Sequence, residues 1–202
     1  MEKYQINYKK FDNYLKKTKH KNIFLKPILN SCDVNFIIEN YENSKILWVF
    51  RDYKDVIFSS MKKFDKRVAN EMKSFIKNNI THGWISNQMH FEEKEILMRL
   101  ENNNFSDLDW MALVWWFVNH TLYRQQLHNN PNIFLLQYKD LVTKPKEFYC
   151  NFSSFSGLSF RNAHVYIDSL NLGKGKNISL SKEVDVLCKL LFDNLKNVKT
   201  QF

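Results

Sequence analysis

The chain has 202 residues, 44% of them hydrophobic and 15% aromatic. That is enough for one domain with a single large core and too apolar for a disordered chain. Thirty Lys and Arg against 21 Asp and Glu leave a net charge of +9, which favours anionic partners such as nucleotides, sulfated or phosphorylated substrates, nucleic acid or acidic membranes.

The first twenty or so residues are polar and lysine-rich, read as a partly disordered segment or a frayed helix, and they lack the apolar stretch of a signal peptide. Ile23 to Lys26 is expected to form a short strand stopped by Pro27. A helix is expected over about 33 to 42, capped by Ser31 or Asp33. Ile46 to Phe50 is wholly apolar and reads as a strand buried on both faces, as in a parallel sheet. Helix follows from Asp52 to about Phe64 and again to about Lys77. Residues 78 to 106 are the least regular, with asparagine clusters and a short helix at about Glu92 to Leu100; segments of this kind often serve as lids or binding loops. A long helix starts near Asp107 or Asp109 and runs to about His128. Its aromatic stretch around Trp110, Trp115, Trp116 and Phe117 reads as core. Ile133 to Gln137 is a further strand. The pattern then places a helix from Lys144 or Pro145 to about Phe155, closed by Gly157, and a last one from about Ser181 to Leu195. Strands alternating with helices predict an α/β fold, a parallel sheet with helices on both faces, in a single domain over residues 1–202.

The longest apolar run, Met111 to Val118, is far too short to span a bilayer. Cys32, Cys150 and Cys188 form no C-x-x-C pair, and the histidines lack metal-ligand spacing, so neither a metal site nor a disulfide framework is expected. A cytoplasmic protein with reduced thiols is the resulting expectation.

Chemistry concentrates where the apolar run 46–50 ends in Arg51-Asp52. The carboxyl edge of a parallel sheet is where open α/β folds bind ligands. Asp52 suits an N-cap and Asp55 the first helical turn. Ser59 lies eight positions after Arg51, on the following helix. A guanidinium fork and a hydroxyl converging beside a strand-to-helix turn suit a phosphate, although Arg51 could equally pair with a carboxylate at the strand end.

Arg51-Asp52-Tyr53-Lys54-Asp55-Val56 with Ser59 resembles the cofactor 3′-phosphate motif of sulfotransferases, which use 3′-phosphoadenosine-5′-phosphosulfate (PAPS). Ile133 to Pro145, with Tyr138-Lys139-Asp140-Leu141, is similar to that family's strand ending in Tyr-Glu-Asp-Leu. Asn22 to Pro27 is similar to the strand that delivers a lysine to the sulfuryl group. The three agree in order and cover about residues 22 to 160. The resemblance implies a P-loop-type fold, PAPS as co-substrate with no metal, and a hydroxyl or amine acceptor. It implies that Arg51 and Ser59 hold the 3′-phosphate, Tyr138 lies by the adenine, and Lys26 neutralises charge at the sulfuryl group. Lys174 and Gly175 resemble a late basic-glycine element that also touches the 3′-phosphate.

The family's glycine-rich 5′-phosphosulfate loop is not found: the glycines are Gly83, Gly157, Gly173 and Gly175, and none precedes Lys26. The sheet would then lack its first strand. Ile28 stands where many members carry a histidine base, leaving His82, His90 and His120 as candidates. Two alternatives follow: a truncated or degenerate relative that binds adenosine 3′,5′-bisphosphate or a protein partner without turnover, and a basic nucleic-acid-binding module supported by charge alone, with no recognition motif.

Overall fold

The apolar runs Ile46–Phe50 and Ile133–Gln137 form strands β1 and β2, which pair in parallel from Ile46 opposite Ile133 to Phe50 opposite Gln137. The computed structural model describes residues 7–26, 31–64, 66–81, 83–101, 104–159 and 172–198. Around the strand pair lie α1 (Tyr8–Lys17), α2 (Val34–Asn40), α3 (Tyr53–Phe64), α4 (Arg67–Asn78), α5 (Trp84–Gln88), α6 (Phe91–Leu100), α7 (Asp107–Arg124), α8 (Tyr138–Thr143), α9 (Pro145–Ser156) and α10 (Lys182–Asn197). The fold is α/β, mostly helical, with a small parallel sheet.

Helix α7 is apolar nearly all round, and accordingly it is buried nearly all round. Trp110, Leu113 and Phe117 are completely enclosed, and α3, α4 and α10 pack against it. Its start is fixed by a reciprocal cap: the Asp109 N–H donates to Ser106 Oγ (3.2 Å) and the Ser106 N–H to Asp109 Oδ2 (2.8 Å). The other oxygen of Asp109 accepts the Ser181 N–H at 2.7 Å, which binds the entry of α10 to the entry of α7. From there Val184, Cys188, Leu191 and Leu195 recur at helical spacing and face the core. Burial pushes the Cys188 thiol well above its ordinary range.

The strand pair has one face on this core. Trp48 Nε1 donates to Asn119 Oδ1 at 3.4 Å, and Phe50 meets the Phe192 ring with centroids 6.0 Å apart. On the opposite face, Phe134 and Leu136 of β2 are covered by Phe148 and Phe155 of α9. Their register partners on β1, Leu47 and Val49, point the same way yet remain 36% and 47% exposed.

Two expectations are corrected. Residues 23–26 form no strand; the apolar triplet is there, but no neighbouring strand among the described residues gives it a ladder. β1 is not buried on both faces, because α9 covers β2 and leaves Leu47 and Val49 exposed. Of the two readings of the lysine-rich start the helix is found: α1, capped by Asn7 and held to α2 by the Tyr41 hydroxyl donating to Asp12 (2.7 Å). Within residues 78–106 the short helix expected at about Glu92 to Leu100 is α6, and α5 is an additional one. Tyr138 follows β2 as expected and opens a short helix of its own. Pro27 and His82 lie outside the described residues. No helix among the described residues is long and apolar enough to cross a membrane.

Candidate functional site

The carboxyl end of β1 turns directly into α3, and the residues at this turn cap each other. Asp52 Oδ1 accepts the N–H groups of Lys54 (2.9 Å) and Asp55 (3.2 Å), satisfying first-turn donors that α3 cannot satisfy itself. The Arg51 carbonyl accepts a hydrogen bond from Trp115 Nε1 at 3.2 Å, fixing the strand end against α7.

Asp55 is the hub. It is only 4% exposed. Its two oxygens accept the backbone N–H groups of Gly175 (2.8 Å) and Gly173 (2.9 Å), and Arg51 Nη2 lies 3.2 Å from Oδ2. A loop well over a hundred positions away in sequence is thereby docked onto the first turn of α3. Burial would raise the Asp55 carboxyl, but the Gly175 and Gly173 N–H groups and the Arg51 guanidinium outweigh it and hold the group below its ordinary value. Gly175 is required by space: a Cβ there would sit 2.2 Å from the Lys54 carbonyl carbon and 2.5 Å from the Asp55 nitrogen. Gly173 has φ +71°, a conformation glycine adopts without strain.

The Arg51 guanidinium lies 5.1 Å from the centroid of the Tyr138 ring, which follows β2 immediately. The ends of both parallel strands and the 172–177 loop therefore meet at one rim, the position at which open α/β sheets present ligand sites. Of the residues singled out from sequence, Arg51, Tyr138 and Gly175 come together here, and Lys174 lies, exposed, between the two docked glycines. Ser59 lies on the α3 face that carries Asp55, one turn further on, and is exposed. Lys26 is exposed on the wall of a cavity of about 1560 Å³ whose lining also includes Arg51 and all of β1.

Glu71, on α4, also lines this cavity and was not singled out from sequence. Its Oε1 accepts the Ile85 N–H at 2.9 Å, capping α5, while its Oε2 is buried with no hydrogen-bond partner. Burial raises this carboxyl above its ordinary value, with the Ile85 and Trp84 N–H groups opposing. A mid-helix glutamate gives no local signal of such a position.

His90 and His120 do not line the cavity; they belong to a polar cluster around Glu93. Glu93, fully buried, has Oε1 2.8 Å from His120 Nδ1 and 3.2 Å from Arg124 Nε. Its Oε2 accepts the His90 N–H (3.1 Å), and Arg124 Nη1 lies 2.6 Å from His90 Nε2. His120 stacks on Trp116, with centroids 4.5 Å apart. No group of three or more His, Cys, Asp or Glu among the described residues is placed to hold a metal ion.

Compared with protein-family models, curated proteins and solved structures, the chain has a match in none of the three.

Proposed function

We propose that the chain is a sulfotransferase-like protein of P-loop-type fold that takes PAPS as co-substrate and transfers its sulfuryl group to a hydroxyl or amine acceptor. The observation that carries this reading is the convergence of Arg51, Tyr138 and the Gly173-Lys174-Gly175 loop at the shared carboxyl rim of β1 and β2. Those residues supply what a 3′-phosphoadenosine end needs: a guanidinium and an ammonium for the phosphate and an aromatic ring for the base. Ser59, further along α3, would add a hydroxyl to the 3′-phosphate.

In transfer, the acceptor oxygen or nitrogen bonds to sulfur as the bond from sulfur to the bridging phosphate oxygen breaks, leaving adenosine 3′,5′-bisphosphate. Lys26 would offset the charge gathering on that leaving phosphate. Glu71, raised by burial and present in the same cavity, would take the acceptor's proton. Glu71→Gln is then expected to slow transfer about a hundredfold with bisphosphate affinity unchanged. Equal transfer rates for the two proteins would remove Glu71 from the reaction.

Titration calorimetry with adenosine 3′,5′-bisphosphate tests the binding half. Arg51→Ala should weaken affinity by about 1.5–3 kcal/mol, the worth of hydrogen bonds to a charged group. Adenosine 5′-monophosphate, lacking the 3′-phosphate, should show little difference between the two proteins. Bisphosphate affinity that does not change with Arg51→Ala would end the reading. A second reading, a binding relative without turnover, is favoured by Lys26, which is exposed on a segment that forms no strand. Bisphosphate binding without sulfuryl transfer from PAPS to any hydroxyl or amine acceptor would select it.

A further inference from the structure

One edge of β1 is unpaired among the described residues, and β1 lines a cavity larger than a small ligand needs. The Ile46 N–H donates to the Asn132 carbonyl at 2.8 Å, so Ile46 directs its backbone groups toward β2. Backbone direction alternates along a strand, so Trp48 and Phe50 do the same, whereas the N–H and C=O of Leu47 and Val49 point to the other edge. Among the described residues no strand pairs with that edge. The side chains of Leu47 and Val49 are the exposed pair on the face where α9 covers β2 but not β1. Parallel strands are ordinarily covered on both faces, and a pair of strands is a marginal sheet by itself.

The cavity beside this edge has a volume of about 1560 Å³, against about 300–1,000 Å³ for a typical small-molecule pocket. Its lining includes the segment 20–26, where Phe24 is 72% exposed and Leu25 47%. Cations dominate the lining: Lys21, Lys26, Lys45, Arg51 and Arg67, against Glu42 and Glu71.

We propose that this groove receives one extended strand from another polypeptide, apolar at alternate positions and flanked by acidic residues, which pairs edge-on with Leu47 and Val49. Unpaired strand edges recruit extended peptides through main-chain hydrogen bonds, with side-chain pockets giving the selectivity. The apolar floor and walls select alternating apolar side chains, and the surplus of cations selects acidic flanks. A second copy of this chain is disfavoured, because its groove carries the same surplus of cations and like charges would face each other. Residues 20–26 line the cavity without forming a strand, so they do not pair with β1 themselves.

Hydrogen exchange on the full chain gives the test, because β1 carries its own control. In the chain alone the Leu47 and Val49 amides should exchange fast, and those of Trp48 and Phe50, which face β2, slowly. An octapeptide alternating threonine and valine between terminal glutamates should slow Leu47 and Val49 at least tenfold and leave Trp48 and Phe50 unchanged. The same peptide with terminal lysines, or N-methylated at alternate amides, should protect at least tenfold less well. Val49→Glu, at a position 47% exposed, should abolish protection by the acidic peptide.

Slow exchange at Leu47 and Val49 without peptide would overturn the proposal. If independent of concentration, it would mean that the chain covers its own edge; if it rises with concentration, a second copy does so. Absence of protection by the acidic peptide, or equal protection by the N-methylated one, would overturn it as well. Arg51 and Lys26 line this groove as well, but the readouts differ, amide exchange at Leu47 and Val49 here and the effect of Arg51→Ala on bisphosphate affinity there, so failure of one is distinguishable from failure of the other.

Discussion

Replacing Asp55 with alanine is expected to destabilise the chain by about 3–5 kcal/mol, the cost of breaking a buried charge pair from one side. The substitution strands the Gly173 and Gly175 N–H groups and leaves Arg51 without its carboxylate. Urea unfolding should show a lower midpoint at an unchanged slope. A loss under about 1 kcal/mol would mean that the 172–177 loop is not docked on α3. The pH dependence has a definite sign. The folded carboxyl lies below its ordinary value, so the unfolded chain binds that proton more readily. The stabilisation is therefore complete above the unfolded value of about 3.9 and is lost as pH falls through the lower folded value. Wild type and Asp55→Asn should differ by a constant amount near neutrality and converge in acid. A gap that widens on acidification would contradict the hydrogen-bond arrangement. Under the proposed function, bisphosphate affinity would be a second readout, since undocking the loop frees the segment that carries Lys174.

Glu93→Ala should cost a similar amount, about 3–5 kcal/mol, because it leaves the largely buried Arg124 without its counter-charge. It also removes the acceptor for the His90 N–H at the start of α6 and the partner of His120 Nδ1. Pairing it with Arg124→Met separates the causes. If the cost comes mainly from the stranded charge, the double variant should be more stable than Glu93→Ala alone, and the cycle should give a coupling of at least about 1 kcal/mol. Additive losses would instead assign the effect to packing. Because this cluster lies away from the cavity, bisphosphate affinity measured on the folded fraction should stay the same.

Both paired strands were legible in the sequence for one physical reason: each is a short, almost wholly apolar run bounded by polar residues, as parallel strands ordinarily are; β2 is buried as that pattern implies, while β1 keeps Leu47 and Val49 exposed. The cap at Asp52 was legible because capping is local, and so was the alternative that Arg51 pairs with a carboxylate. The second role of Asp55 was not. It reads as an acid complementing a helix start, and nothing near it in the chain points to the loop at 172–177. Within residues 78–106 the helix at about 92–100 was legible and α5 was not, for a related reason: the residue that caps α5 is Glu71, fourteen positions before Ile85 and on another helix. Ile23 to Lys26 misled in the opposite direction, since apolar composition allows a strand but only a neighbour makes one. That Arg51, Tyr138 and Gly175 meet at one rim was not legible from any local pattern, because they lie on three segments far apart in the chain. The cavity that adjoins it, and Glu71 within it, became visible only once helices far apart in sequence were placed together.

The contact at residue 175 changes how this chain's descendants should be interpreted. Any side chain there collides with the main chain at Lys54 and Asp55, so selection for folding alone would keep glycine at that position. A lineage that carried out no chemistry at all would still preserve it. Retention of this glycine would therefore mark an intact scaffold and not a retained activity; the same holds for Glu71, which caps α5, whereas Lys26, exposed on a segment without strand pairing, is free of such a constraint.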